Sequence, residues 1–552
     1  MLGNERAEGR GVNDEPAGAT ERSTGGTATR GTVTTPAEPS AGHPSGEQTP
    51  RSTEPWSGPP GPLTLPTVQS RSGAPAGAGS GGRSVTFVLL TMLLCGLTLT
   101  AGYLNKARCT GPSFDSQGRS EPDYSLRVAR DVCYSDIQFL WIGRDIDRHV
   151  FPYVDGGIVG DQLYGGSVEY PVLTGMAIYV AALPSSTDAQ FLAWSAVILA
   201  VTGLLSAALL AWLAGLRSWW FALAPPLVLY AFHNWDLLAV CATVVAFWAL
   251  LRSGDAGAAR RRLLVVAALA LGIGGAFKLY PLMFVLPIGL WIGCGMIHRP
   301  NGRAGGGPTP PGLTPGSRWL GAFGFAAGTG AVFLLINLPF MIAGWRGWWA
   351  SFQFQWSRPI DLTTNTIWFW ATRPYSESGN ADLQSELARL AAVTTLFALL
   401  LACGLGFLRL RWDGMYPWLP VCAAMVCGYL LFNKVHSPQF TLWLLPFFVL
   451  LRIRSGWIVA YFVADAAIGI GFFRWMYLLG TGAPSGMYDA LAPQMVMIGV
   501  WGRAALLVAL FVVFLRSDVV SRPARPRVAP DRPGVPDDPV VTPVTSARGW
   551  SP

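Results

Sequence analysis

Carboxylate side chains gather in one polar stretch that follows the first apolar segment of the chain. Asp136 lies there between Tyr134 and Ile137, and Glu169 closes the stretch before the next apolar segment begins. A carboxylate within hydrogen-bond reach of a hydroxyl can act as a general base and remove its proton. We therefore predict that Asp136 is a catalytic base and that Glu169 binds the reacting molecule. Solvated loop acids are the simpler interpretation of the remaining carboxylates, Asp145, Asp147, Asp155 and Asp161.

Two of the three lysines of the chain occur deep in apolar sequence, each followed closely by a proline. One lies in Lys278-Leu279-Tyr280-Pro281, and the other, Lys434, precedes Pro438. Ionisable side chains within a membrane are costly and therefore are functional candidates, and the compact charge of lysine suits phosphate. The alternative is that these two lysine side chains extend along apolar sequence so that their charges reach the lipid headgroups (snorkelling). We predict that Lys278 and Lys434 bind an anionic substrate.

Further candidates lie beside these residues. A polar break, His233-Asn234-Trp235-Asp236, interrupts a long apolar stretch. Asn234 is equally well explained as a helix cap. The other predicted substrate-binding residues are His233, Asp236, Tyr280, Arg358, His436 and Gln439.

Composition identifies the elements that must position these residues. The chain of 552 residues is 51% hydrophobic and only 13% charged, whereas soluble proteins carry about 25% charged residues. We predict an all-α, polytopic membrane protein with about 11–13 transmembrane helices. The net charge of +8 reflects arginines at the ends of apolar segments and in the tails, as in cytoplasmic loops of membrane proteins. Nucleic acid is therefore not the expected partner.

The chain divides into three parts. Residues 1–82 and 519–552 are rich in Gly, Ser, Thr and Pro, and we predict disordered cytoplasmic tails there. Residues 83–518 form the predicted membrane domain, with outer loops at 105–167 and 343–388. If every apolar segment crossed the membrane, the arginine-rich loops would not all lie on the cytoplasmic side. One early segment therefore does not cross fully, and the candidates are 168–184 and 219–232. Either could be re-entrant.

Three other patterns are informative. Cys109 and Cys133 share the first outer loop, where a disulfide is permitted but not required. The second outer loop carries tryptophans that fit an interfacial belt or sugar stacking: Trp345, Trp348, Trp349, Trp356, Trp368 and Trp370. No Walker loop, nucleotide-binding glycine fingerprint, HExxH motif or zinc-type cysteine spacing occurs. We expect neither a metal nor another cofactor.

Several of these elements follow one another in a particular order. They are Asp136, Glu169-Tyr170-Pro171, His233-Asn234-Trp235-Asp236, Lys278-Leu279-Tyr280-Pro281, and Lys434 followed by Ser437-Pro438-Gln439 and Leu442-Trp443-Leu444-Leu445-Pro446. Over residues 85–515 this order resembles the polyprenol-phosphate-mannose-dependent alpha-mannosyltransferases, glycosyltransferase family 87 of the GT-C class. At the polar break, His-Asn-Trp-Asp replaces the commoner Gly-Gln-x-Asn of the family. The acceptor and the sugar therefore stay open.

The resemblance implies a GT-C-like helix bundle that transfers a sugar, in that family mannose, from a polyprenyl-phosphate donor with inversion. The acceptor would be an envelope lipid or glycan, and the active face would be the extracytoplasmic side of the plasma membrane. By analogy, Asp136 is the base, and Lys278, Lys434 and Arg358 bind the donor phosphate.

Two alternatives remain. A transporter or flippase of a lipid-linked or anionic substrate would also use intramembrane lysines and broken helices, and a non-enzymatic envelope assembly protein would have dispersed ionisable groups. A location of Asp136 beside Lys278 and Lys434 at one surface favours a transferase.

Overall fold

The computed structural model describes residues 84–253, 259–295, 315–373 and 380–520. All of these residues belong to one structural unit. The predicted disordered tails, 1–82 and 519–552, lie outside the described residues except for positions 519 and 520, and they stay predictions.

Helices account for most of the described chain. They are α1 (Val85–Ala107), α2 (Tyr124–Asp131), α3 (Asp136–Gly143), α4 (Val172–Ala182), α5 (Asp188–Ala214), α6 (Trp219–Ala222), α7 (Pro225–Tyr230), α8 (Asp236–Ser253), α9 (Arg260–Phe277), α10 (Val285–Cys294), α11 (Pro315–Ala343), α12 (Trp345–Ser357), α13 (Ile367–Ala371), α14 (Ala381–Asp413), α15 (Trp418–Phe432), α16 (Leu445–Leu450), α17 (Ser455–Thr481) and α18 (Leu491–Arg516). Short 3-10 turns cover Gly215–Ser218, Tyr280–Phe284, Leu362–Thr364 and Pro438–Trp443.

Among the described residues, the strands are confined to two small antiparallel hairpins in the first outer loop. They are β1 (Ser113–Phe114), β2 (Ser120–Glu121), β3 (Gly157–Val159) and β4 (Gln162–Tyr164). β1 pairs with β2, and β3 pairs with β4. The domain is therefore all-α, as predicted.

Within the described residues, seven helices are long and apolar enough to cross a membrane. They are Val85–Ala107, Asp188–Ala222, Asp236–Ser253, Pro315–Ala343, Ala381–Asp413, Ser455–Thr481 and Leu491–Arg516. Shorter apolar helices cover Val172–Ala182, Tyr280–Cys294, Trp418–Phe432 and Pro438–Leu450, and α9 adds 18 residues that open with three arginines. The protein is an all-α, polytopic membrane protein.

Arginines mark one end of the helix bundle, which we call the arginine face. The Arg217 guanidinium donates to backbone carbonyls at the end of α16. The Arg409 guanidinium pairs with Asp518 at 2.7 Å, and the carbonyl of Asp518 accepts the Arg452 N–H. The Arg252 guanidinium lies over the ring of Trp212 near the end of α5. This clustering agrees with the expectation that arginines lie in the cytoplasmic loops. The cytoplasmic location of this face stays a prediction.

The helix α4 begins and ends at the opposite end of the bundle, which we call the pocket face. Near its start, the Thr174 hydroxyl donates to the Phe277 carbonyl at the end of α9, 2.7 Å away. Beyond its other end, Ser185 contacts His149 of the first outer loop. Eleven residues extend about 16 Å, half of the hydrocarbon thickness. Of the two candidate re-entrant segments, the geometry favours 168–184.

The other candidate, 219–232, connects the two faces although it is broken into α6 and α7. Arg217 precedes it on the arginine face, and the His233 carbonyl that follows it accepts the Asp136 N–H on the pocket face. The break occurs where Pro225 begins a new helix, since proline cannot continue the preceding hydrogen-bond ladder.

The disulfide that the sequence left open is present. Cys109 and Cys133 are bonded across a separation of 24 residues, and both sulfur atoms are buried with Tyr124 and Val128 of α2. The bond connects the end of α1 to the segment that leads into α3. It therefore limits how far the start of α3 can move away from the bundle.

Removal of this bond should destabilise the pocket face. Closing a loop of this length stabilises a fold by about 3 kcal/mol, so the variant Cys109→Ala/Cys133→Ala should melt several degrees below the wild type in detergent. Cys294→Ala is the control, because Cys294 is a free, half-buried thiol on α10 and should melt like the wild type. Equal melting temperatures for the double variant and the wild type would contradict the expectation.

Candidate active site

A cavity of about 310 Å³ opens at the pocket face. Most of the predicted site residues line it, although they come from segments far apart in the chain. They are Asp136, Glu169, His233, Lys278, Tyr280, Arg358, Lys434 and Gln439. These eight residues lie in loops, in short turns or at helix ends on this face. The cavity thus brings an acid and several cations together at one end of the bundle.

Asp136 is the first residue of α3 and is fixed from both sides. Its backbone N–H donates to the His233 carbonyl at 2.8 Å, and the neighbouring Ser135 hydroxyl donates to the Phe232 carbonyl at 2.6 Å. The helix itself buries Trp141, whose ring contacts Phe191 of α5. The polar break between α7 and α8 therefore supports the backbone at Asp136.

The carboxylate of Asp136 receives hydrogen bonds that the sequence did not reveal. The Asn234 amide donates to Asp136 Oδ2 and to the Tyr170 hydroxyl, each at 2.8 Å. Burial raises the pKa of Asp136 above its usual value, while the hydrogen bonds from Asn234 and Tyr134 oppose that increase. Asn234, predicted with equal weight as a cap, uses its amide nitrogen to orient the candidate base.

Lys278 ends α9 and forms a buried ion pair. Its Nζ atom lies 2.5 Å from Asp236 Oδ2, and the Trp443 indole donates to Asp236 Oδ1 at 2.7 Å. Asp236 is fully buried and lies outside the cavity lining. Its carboxylate therefore orients Lys278 and compensates its charge. That Asp236 also contacts substrate stays a prediction.

An aromatic stack forms the wall next to Lys278. The rings of Tyr280 and Trp443 stack with centroids 4.1 Å apart, and Phe440 stacks on Trp443 at the same separation. The Lys278 ammonium lies 5.2 Å from the Phe440 centroid, within the range of a cation–π interaction. Trp443 is thus a site residue that residue type alone did not reveal, because tryptophan is common in membrane spans.

Lys434 and Arg358 form a cationic end of the cavity. Lys434 Nζ donates to the carbonyls of Trp356 at 2.6 Å and Arg358 at 2.9 Å, at the end of α12. Burial, followed by the nearby Arg358 charge, lowers the pKa of Lys434 to about 8. Neither side chain has a carboxylate partner within the described part of the chain. Their positive charges therefore face the cavity without compensation.

Glu169 lines the cavity, but its charge is compensated. The Arg144 guanidinium lies 2.9 Å from Glu169 Oε2 and over the Phe354 ring. The Gln355 amide donates to the Glu169 backbone carbonyl at 2.9 Å. This group connects the first outer loop to α12. Arg144 was missed in the sequence because one arginine among many in a loop gives no signal.

The two predicted histidines differ in position. His233 lines the cavity, and burial lowers its pKa well below the usual value. His436 is buried outside the lining and contacts the Leu430 carbonyl through Nδ1 at 2.9 Å. Its contact with substrate stays a prediction. Gln439 lines the cavity with a buried side-chain oxygen that has no partner among the described residues.

The six tryptophans of the second outer loop are not part of the cavity wall. Trp345, Trp349 and Trp356 are 54%, 48% and 86% exposed, as expected for side chains in the headgroup region. Trp368 donates its indole N–H to the Phe432 carbonyl instead. This favours the interfacial belt over sugar stacking.

Metal chemistry is not indicated by residue clustering. Within the described ranges, no group of three or more His, Cys, Asp or Glu side chains could hold a metal ion. That the protein uses neither a metal nor another cofactor stays a prediction.

Known proteins give limited guidance. No protein-family model matches the chain, and no curated protein matches it. Similar solved structures include two crystal structures of ArnT from Cupriavidus metallidurans, one bound to undecaprenyl phosphate and one in the apo state. Each is 13% identical; their TM-scores are 0.37 and 0.34, over 78% of this chain and 77% and 76% of theirs. At such scores the likeness carries no functional weight.

Proposed function

We propose that the protein is a membrane glycosyltransferase of the GT-C type. It moves a sugar, proposed to be mannose, from a polyprenyl-phosphate donor to an envelope lipid or glycan acceptor. One observation carries this proposal: the carboxylate of Asp136 and the uncompensated charges of Arg358 and Lys434 line one cavity at one end of the bundle. The order of motifs that resembles glycosyltransferase family 87 supports the choice of sugar.

The reaction needs no nucleophile on the protein. An acceptor hydroxyl attacks the anomeric carbon, and its proton passes to the Asp136 carboxylate. A new carbon–oxygen bond forms as the bond between the anomeric carbon and the phosphate oxygen breaks. Attack from the side opposite the phosphate inverts the configuration at that carbon. The polyprenyl phosphate leaves with the electron pair of the broken bond.

The charges of the cavity match those of the leaving group. The donor is a phosphodiester with one negative charge, and the released phosphate monoester carries about −1.5 to −2 at neutral pH. Lys278 is compensated by Asp236, and Glu169 by Arg144. Two uncompensated cations, Arg358 and Lys434, remain at the cationic end of the cavity, which we call the phosphate end. Charge develops there on the leaving phosphate in the transition state. We assign donor-phosphate binding chiefly to Arg358 and Lys434, with Lys278 completing the wall.

The location of the cavity favours a transferase over a transporter. A transporter site is expected near the midplane and must be reachable in turn from both faces. The described lining residues belong to the pocket face, opposite the arginine face. With the arginines in the cytoplasm, the reaction takes place on the extracytoplasmic side of the plasma membrane. The lipid tail of the donor would then stay in the bilayer.

The test is transfer in membranes that contain the full chain. Radiolabelled polyprenol-phosphate-mannose is supplied with extracted envelope lipids or glycans, and product is compared with membranes that lack the protein. Polyprenol-phosphate-glucose tests the choice of sugar. Transfer that depends on the protein supports the proposal. Transfer from the glucose donor but not from the mannose donor would show that the sugar is not mannose. Label that moves across sealed vesicles without a product would favour a flippase.

The pH dependence of donor binding should report Lys434. Its ammonium loses the proton as the pH rises through about 8. Above that pH the KM for the donor should rise roughly 10-fold, the weight of one charged contact, and kcat should fall because the same charge stabilises the leaving phosphate. Lys434→Arg should remove this increase, because arginine stays protonated. Donor KM measured between pH 6.5 and 9.5 is the readout. An identical alkaline rise in both proteins would exclude Lys434 as its source.

A further inference from the structure

Side chains at the end of α1 bind the backbone of the segment that precedes Asp136. Three polar side chains there donate to backbone carbonyls of one short segment: Asn105 to Val132, Lys106 to Tyr134, and Arg108 to Asp131. The disulfide between Cys109 and Cys133 adds a covalent link at the same place. We call these contacts the α1 clasp. Between the clasp and the polar break, the backbone before Asp136 is fixed on both sides.

Lys106 is the unusual member of the clasp. It is the third lysine of the chain and only 2% exposed, and its Nζ atom lies 2.7 Å from the Tyr134 carbonyl. A buried ammonium costs free energy unless it is hydrogen-bonded and compensated by charge. No carboxylate lies within ion-pair distance in the described structure, but Asp136 interacts with it electrostatically. The carboxylate of Asp136 is thus the anion that this buried charge serves.

We infer that Lys106 is a positioning residue for Asp136. Its ammonium holds the Tyr134 carbonyl, two residues before Asp136, and so fixes the carboxylate at the cavity wall. Its charge adds to those of Lys278 and Arg358 in favouring the ionised carboxylate. This inference rests on the proposed function, because it assigns how the base of that reaction is prepared.

Other charged and titratable groups also surround Asp136. The charged and titratable side chains that face the carboxylate or its immediate neighbours are Tyr124, Tyr134, Tyr170, His233, Lys278 and Arg358. The tyrosines are neutral, and burial keeps His233 neutral by lowering its pKa. Lys278 is paired with Asp236, and Arg358 belongs to the phosphate end. Both still act electrostatically on Asp136. Lys106 is a third cation, and it lies outside the cavity lining.

Two substitutions separate the hydrogen bond from the charge. Lys106→Met removes both, and Lys106→Gln keeps a donor without the charge. The acidic limb of the kcat profile reports the ionisation of Asp136, because the base must be deprotonated. Loss of a nearby positive charge favours the protonated acid, so this limb should move upward by about one pH unit in both variants. We expect kcat to fall roughly 10- to 100-fold in Lys106→Met, and less in Lys106→Gln.

Two matched variants complete the experiment. Lys106→Arg keeps the charge and should restore the limb to its wild-type position. Asn105→Ala removes a neutral member of the clasp, so its limb should stay where it is in the wild type. Melting temperatures of all variants show whether each is folded. If Lys106→Met does not fold, the inference is tested with Lys106→Gln.

The outcomes are distinct. An upward shift in Lys106→Gln that Lys106→Arg reverses supports the inference. A lower rate with the acidic limb unmoved would reduce Lys106 to a structural residue and overturn it, as would a wild-type rate in Lys106→Met. If the wild-type membranes show no transfer at all, the proposed function fails first, and the inference fails with it.

Discussion

Asp136→Asn should abolish sugar transfer while the protein still accumulates and folds. The amide keeps the size of the side chain, but it cannot accept the proton of the acceptor hydroxyl. General-base catalysis contributes about 10²–10⁴-fold, so we expect transfer to fall roughly 10³-fold. Initial rates in membranes, normalised to the amount of protein, measure this effect. KM for the donor should change little, because the carboxylate is not at the phosphate end.

The control lies in the same outer loop. Asp161 is exposed in the turn between β3 and β4, outside the cavity, so Asp161→Asn removes one loop carboxylate without touching the site. It should transfer sugar at the wild-type rate. Unchanged transfer in Asp136→Asn would remove this residue from the mechanism, and an equal loss in Asp161→Asn would point to a general effect of loop charge.

Removal of the two uncompensated cations should have the second largest effect. Arg358→Met and Lys434→Met each remove a charge from the end of the cavity where the phosphate leaves. Loss of one group that stabilises charge in the transition state costs roughly 10²-fold in kcat. We expect each single variant to lose about that much, and the double variant to lose more but less than the product, because the two charges act on one phosphate.

The matched control is Arg346→Met. Arg346 lies on α12, as the residues near Arg358 do, but it is exposed and outside the cavity lining. It should behave as the wild type. If the double variant loses affinity for the donor while kcat is intact, the cations bind the ground state only, and leaving-group stabilisation must come from elsewhere. If neither kcat nor KM changes, the phosphate does not bind at this end.

The membrane character of the protein was readable from composition, because apolar spans of about 20 residues are required to cross hydrocarbon whatever the fold. The rare lysines were informative for a similar reason. Charge is costly in apolar sequence, so the positions of Lys278 and Lys434 along the chain already indicated a function, and both line the cavity. Asp136 was distinguishable from the other loop acids through its aromatic and aliphatic neighbours.

Only the tertiary structure decided how charges pair and which residues support them. The partners Asp236 and Lys278, or Glu169 and Arg144, are separated by many residues, and a chain pattern does not show which distant side chains meet. Residue type and spacing suggested direct roles for Asp236 and His436, and the tertiary structure shows both of them buried outside the cavity lining. They also passed over Lys106, since a lysine at the end of a membrane helix is expected to reach the surface. Its burial beneath Asp136 depends on how α1 packs against the outer loop, which local sequence does not encode.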